Sequence, residues 1–203
     1  MNFTQEQVIA VMRSKGYRVF SEEKPFQLDF IGIRNKSRQS DLFDDEFHVF
    51  YKDDSGILNH MSFAGTTDPG KYYLENPMNK QGTFILMPGQ YIDCWKKGLH
   101  LGKYPALRQV GTLIGYRDDD KDTILDIPKD PPKEKLFIGT GFGVNFHPMG
   151  KYSKLIKNWS AGCQGPQEDK YVTKVLEWVD QYTEKTKKEL ISYTLLEEED
   201  FTI

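Results

Sequence analysis

Two cysteines, Cys94 and Cys163, are all that the 203 residues carry. Two cannot make a disulfide framework, so an apolar core has to hold the fold, and a chain of this length can bury one. No stretch approaches the roughly 18 consecutive apolar residues of a membrane-spanning helix. Basic residues are not in excess. The net charge is −3 and the pI about 5.8, which argues against nucleic-acid binding through a basic surface. Neither nucleic acid nor membrane is an expected partner. A basic segment followed by an apolar one is missing from the N-terminus, so synthesis in a reducing cytoplasm with free thiols is expected. Gly and Pro are ordinary in number, which leaves no compositional case for disorder. Internal repeats and low-complexity segments are absent, and one domain over 1–203 is expected.

The sequence is rich in short strand signals. Thr4 with Gln7 forms a capping-box pair ahead of Val8, Ile9, Val11 and Met12, predicting a helix that ends near Gly16. Strand-like runs follow at Tyr17–Phe20, Phe26–Ile33, Phe47–Tyr51, Leu58–Phe63, Gly82–Met87, Tyr91–Trp95, Val110–Tyr116 and Leu136–His147. Pro128 to Pro132 reads as a surface loop. Val172, Val175, Leu176, Val179 and Tyr182 fall on one helical stripe, so a late helix is expected over Glu168–Lys185, with a last strand over Lys188–Leu196. Strands and helices do not alternate regularly. The pattern predicts a β-dominated α+β fold with an antiparallel or mixed sheet.

Several constellations lead nowhere. The acidic runs Asp44-Asp45-Glu46, Asp118-Asp119-Asp120 and Glu197 to Asp200 read as solvated turns or tails. The stretch Asp118 to Asp122 lacks the Gly and distal Glu of an EF-hand loop. Gly139, Gly141 and Gly143 alternate, but a strand-like segment ending in Pro148 follows them rather than a helix, so a dinucleotide site is not expected. No two potential ligands stand at metal-type spacing. Neither metal nor cofactor is expected.

The stretch Gly139 to Gly165 differs from the rest. Ser160-Ala161-Gly162-Cys163-Gln164-Gly165 sets a thiol among small residues, which let a substrate approach and leave backbone N–H groups to face an oxyanion. A helix expected to begin within about five residues would favour thiolate at Cys163 through its dipole. Of four histidines, His147 stands sixteen residues earlier, at the end of an apolar segment and before Pro148. Catalytic side chains are often presented from such a position. The polar and aromatic segments Gly65–Tyr73 and Gly89–Gln109 read as walls of a groove, with Tyr73, Trp95, His100 and Arg108 as substrate-binding candidates. Cys94 reads as a core residue, and Trp159 as an anchor for its loop.

The order Asn145-Phe146-His147, loop, Ser160-Ala161-Gly162-Cys163 resembles the catalytic motif of the L,D-transpeptidase (YkuD-type) domain. There a histidine ends a strand, and Ser/Thr-His-Gly-Cys with an arginine two residues on follows after a loop. Here Ala161 stands for the second histidine and Gly165 for the arginine. The resemblance implies Cys163 as nucleophile, His147 as base, and Ser160 and Gly162 as framing residues. It also implies an L,D-transpeptidase-like mixed sheet sandwich or barrel, with the late helix following the cysteine. The implied activity is transfer or hydrolysis of a peptidoglycan stem peptide through a thioester on Cys163. Enzymes of that family act outside the cytoplasm, and with no export signal expected here, a phage or prophage protein that meets the wall after lysis or in a virion is one way to reconcile the two. Arg108 or Arg117 would then replace the missing arginine. Two other classes fit the sequence: a non-catalytic phage structural or wall-binding protein, and a cytoplasmic cysteine amidohydrolase.

Overall fold

The computed structural model describes residues 1–128, 132–151 and 153–201. Ten strands form two sheets. They are β1 (Asp29–Arg34), β2 (Asp45–Lys52), β3 (Leu58–Thr66), β4 (Thr83–Leu86), β5 (Gly89–His100), β6 (Tyr104–Gln109), β7 (Leu113–Asp118), β8 (Phe137–Gly139), β9 (Gly165–Pro166) and β10 (Leu190–Glu197). The larger sheet runs β6-β5-β10-β1-β2-β3-β9 and the smaller β4-β7-β8. Among the strand pairs of the described residues, β1–β10 is the parallel one, so the large sheet is mixed. The fold is β-dominated α+β.

Three α-helices accompany the sheets: α1 (Gln5–Ser14), α2 (Lys71–Glu75) and α3 (Lys170–Thr186). Thr4 and Gln7 make the expected capping box at the start of α1. On α3 the buried residues are Val172, Val175, Leu176, Val179 and Tyr182, the stripe read from the sequence. Each such side chain stabilises by roughly 1.5–3 kcal/mol on burial, which explains why this helix is legible. The two helices cover opposite faces of β1. Phe30 packs in the cluster that includes α3, while Ile31 and Ile33 join Val8, Val11 and Met12 of α1. No residue of β1 reaches solvent.

The edges of the seven-stranded half-barrel, β6 and β9, are joined through one residue. Phe146 exchanges both backbone hydrogen bonds with Leu107 of β6. On its other side, Gln164 N donates to Asn145 O and His147 N to Gln164 O. The Phe146 ring is fully buried and packs against Phe30, Phe47 and Trp95. An aromatic core therefore pins the seam that carries His147 on one strand and leads into Cys163 on the other.

Several expectations need correction. Tyr17–Phe20 is not a strand. The Asp29 carboxylate accepts the N–H groups of Phe20 and Ser21 at 2.9 and 2.8 Å and turns the chain into a short 3-10 helix, Phe20–Glu22. Gly89–Gln109 is not a loop but the long β5–β6 hairpin, registered from Trp95–Gln109 to His100–Tyr104, and its far end still walls the cavity over the Cys163 loop. Leu136–His147 is not one strand, since β8 stops at Gly139 and Gly143 takes a positive φ of 74°. The acidic runs are not simply solvated. Asp45, Glu46 and Asp118 are buried, and Asp200 pairs with Lys15 at 2.7 Å. Of the Pro128–Pro132 loop, residues 129–131 lie outside the described residues.

Candidate functional site

The loop holding Cys163 is shaped by small residues. Gly162 has φ +112°, and a Cβ there would stand 2.3 Å from the Phe84 carbonyl oxygen, so only glycine fits. Ser160 is fully buried. Its Oγ accepts the Gly162 N–H at 3.0 Å and lies 2.8 Å from the Cys163 carbonyl and 3.0 Å from that of Asp68. Ser160 thus closes the turn from behind and does not face the cavity. Gln164 ties the loop to the core: its Nε2 donates to Thr67 O at 2.9 Å and its Oε1 accepts from Tyr193 Oη at 2.8 Å.

A cavity of about 910 Å³ opens over this loop. Cys163, His147 and Gly162 line it, and so do three of the groove candidates, Tyr73, His100 and Arg108. The fourth does not. Trp95 is fully buried in the aromatic core, and its Nε1 donates to Val144 O at 2.8 Å. It positions the segment that enters the site rather than touching a ligand. Tyr104, Phe142 and Trp159 add aromatic wall. Arg108 is the only charged side chain among the described lining residues. Arg117 is elsewhere, donating to Gly82 O and lying over Phe84 and Phe137.

The geometry fixes the state of each ring. His147 Nδ1 lies 2.8 Å from the Pro148 carbonyl, which can only accept. The proton is therefore on Nδ1, and Nε2 carries a lone pair. That Nε2 is buried and has no hydrogen-bond partner among the described residues. A ring nitrogen of His147, one of His100 and Cys163 Sγ lie within 4.8 Å of one another. The His100 ring stacks on that of His147, with centroids 3.8 Å apart and planes 8° from parallel.

His100 has the opposite tautomer. Asn145 Oδ1 accepts the backbone N–H of Gln109 at 2.8 Å, which turns the Asn145 amide nitrogen toward His100 Nδ1 at 3.0 Å. An amide N–H2 can only donate, so His100 Nδ1 accepts and the neutral ring keeps its proton on Nε2. This also bears on metal binding. A ligating histidine normally donates its other N–H to an acceptor. His147 meets that rule and His100 does not, so only His147 and Cys163 have the donor chemistry of ligands.

Burial decides the protonation of the pair. Cys163 is 8% exposed and His147 1%. Burial pushes the thiol up to about 11, against the Asn145 backbone N–H that favours thiolate. Burial, and then the neighbouring His100, push His147 down to about 4. Moving the proton from sulfur to the ring would separate charge inside a buried site, against both shifts. The pair therefore rests as neutral thiol and neutral imidazole, with Sγ directed at the Gly143 carbonyl at 3.4 Å. This corrects the expectation of a dipole-stabilised thiolate. The helix α3 starts at Lys170, after β9, rather than within five residues of the sulfur.

Asn145 escaped the sequence reading, although it stands beside a candidate segment. Nothing in the spacing ties it to His100, 45 residues earlier. No protein-family model, curated protein or solved structure matches the chain. Among the described residues, no helix is long and apolar enough to cross a membrane.

Proposed function

We propose that the cavity is an acyl-transfer site in which Cys163 attacks an amide carbonyl of a peptidoglycan stem peptide, in the manner of the L,D-transpeptidase domain that the motif resembles. The observation that carries the reading is the lone pair on His147 Nε2, buried without a partner beside a cavity-lining thiol. Leaving a buried acceptor unsatisfied costs about 1–3 kcal/mol, and a general base is one of the few roles that explains such an atom.

The chemistry follows from the neutral pair. As sulfur bonds to the carbonyl carbon, the thiol proton passes to His147 Nε2. The Nδ1–H to Pro148 O bond holds the ring and disperses its new charge. The carbonyl electrons move to oxygen, and the Cys163 backbone N–H, given to no described residue, would donate to it. Gly162 N–H is already given to Ser160. Imidazolium then protonates the leaving amine as the C–N bond breaks, and a thioester remains on Cys163. Water or a second amine resolves it. Arg108 suits a substrate carboxylate near the scissile bond, the part that the missing arginine would have played.

The test is mass spectrometry of the full chain incubated with purified muropeptides bearing tetrapeptide stems. The expected result is new cleavage or cross-linked products, with a thioester adduct on Cys163 that Cys163→Ser and His147→Gln both abolish. Muropeptide binding that survives Cys163→Ala, without products, would replace this reading with a non-catalytic wall-binding protein. Reaction with small amides but not muropeptides would point to a different amidohydrolase.

A further inference from the structure

We infer that His100, held by Asn145, is a catalytic hydrogen-bond donor that offers its Nε2–H to the oxyanion formed at Cys163. The inference rests on the Cys163–His147 reading and names a residue outside the motif that suggested it.

An acyl-transfer site needs N–H groups aimed at the oxygen of the tetrahedral intermediate, about 2.7–3.1 Å from it. Several backbone N–H groups around Cys163 are already given away: Gly162 N–H goes to Ser160 Oγ, Gln164 N–H to Asn145 O, and His147 N–H to Gln164 O. Those of Ala161 and Cys163 go to no described residue, and that of Asn145 favours the thiolate. A side chain can add a donor whose direction is fixed.

His100 meets the requirement in three ways. It lines the cavity, and one of its ring nitrogens is within 4.8 Å of Sγ. An oxygen on the carbon under attack would lie within reach of a donor on that ring. Its acceptor nitrogen is already used, because Asn145 donates to Nδ1. The remaining polar atom is a donor, Nε2–H, which makes no hydrogen bond to a described residue and is not among the buried unpartnered atoms. Finally, its charge state is guarded. Burial, and then Arg108, lower its affinity for a proton. A neutral ring with a fixed tautomer donates one proton in one direction and cannot compete with His147 for the thiol proton.

Asn145 is then a positioning residue. Its Oδ1 is pinned by Gln109 N–H, so the amide cannot flip without losing a backbone bond. That single contact, made from the β6 edge, sets which nitrogen of His100 bears the proton.

Two reagents with different transition states test the inference on Cys163. Acylation by 4-nitrophenyl acetate forms an oxyanion and releases nitrophenolate. Alkylation by iodoacetamide forms none, since the charge leaves on iodide. His100→Ala should slow acylation on the order of 10²-fold, the usual loss for one oxyanion donor, and change alkylation, which His100 touches only through the stacked His147 ring, by far less. His100→Gln, whose amide nitrogen falls near the place of Nε2, should recover much of the acylation rate. Histidine-labelled NMR of the wild-type chain should show the His100 proton on Nε2 at neutral pH. Parallel loss in both reactions would reduce His100 to a support for the His147 ring and overturn the inference. So would unchanged acylation in His100→Ala, or a proton found on Nδ1. Both last results leave the Cys163–His147 reading standing. A wild-type Cys163 inert to both reagents would take that reading down together with the inference.

Discussion

Iodoacetamide should alkylate Cys163 slowly at neutral pH and faster by about tenfold for each pH unit up to about pH 10. The reason is burial, which pushes this thiol up to about 11. At pH 7.4 about 7% of an unperturbed thiol near 8.5 is thiolate. For Cys163 the fraction is lower by roughly 300-fold. The more basic thiolate is intrinsically the better nucleophile by about tenfold. The net expectation is a rate some 20- to 30-fold below that of a free cysteine. Beneath the rising limb, His147 should add a component that is flat from about pH 5 to 8 and falls away below about 4, where its Nε2 is protonated. His147→Ala should remove that component and leave the rising limb. The assay is intact-mass spectrometry over a time course, with peptide mapping to separate the two cysteines. Cys94, fully buried and pushed up to about 12, serves as the unreactive internal control. A rate that has already reached its maximum by about pH 7 would refute the reasoning. It would mean that thiolate and imidazolium form in the resting site despite the burial of both groups.

Three further outcomes are expected. Gly162→Ala should destabilise by at least about 2 kcal/mol, from a strained φ and a Cβ driven into the Phe84 carbonyl. A melting temperature within 2–3 °C of wild type would contradict the close approach, because about 2–4 °C corresponds to each kcal/mol at this size. Arg34→Leu removes a fully buried guanidinium whose Nε meets Asp68 Oδ1 at 2.8 Å; Asp68 loses its ion-pair partner and Asp45 a nearby positive charge. The loss should be about 3–5 kcal/mol at pH 8 and smaller at pH 5, where the carboxyls can take up protons; equal losses in denaturant titrations at both pH values would reject the counter-charge role. His147 binds a proton at 6.5 when unfolded and at about 4 when folded, so between those values the unfolded chain holds more protons and stability falls as pH falls. That linkage amounts to about 3 kcal/mol, and His147→Gln should flatten the stability–pH curve by this amount; an unchanged slope between pH 4 and 6.5 would contradict it.

What was legible in the sequence was local. The α1 capping box and the α3 stripe involve residues three or four apart, and both stand in the structure as read. The errors share one cause, a partner beyond the three or four residues over which a helical pattern is read. Tyr17–Phe20 has strand composition, but Asp29 captures its end and turns it. The β5–β6 hairpin contains Gly98, Gly102 and Pro105, which read as loop. Its strands form because β5 pairs with β10, some hundred residues away. Asp45 looks like part of a solvated acidic turn until Thr67 and Asn35 satisfy its oxygens in the core. Charge patterning along one segment carries no record of such partners.

The candidate site divides in the same way. Cys163, Gly162, Ser160 and His147 stood out by composition, because a turn that admits only glycine leaves glycine in the sequence. The electrostatics could not be read there. Small residues and a nearby helix argued for thiolate, whereas burial of both groups keeps the pair neutral. Charge then has to separate during the reaction, in a site whose burial disfavours it. Each N–H group aimed at the developing oxyanion offsets part of that cost, about 3–4 kcal/mol for one donor in the transition state. The Nε2–H proposed for His100 would add to what the loop backbone offers, which is how a neutral Cys–His pair could still work as a nucleophile.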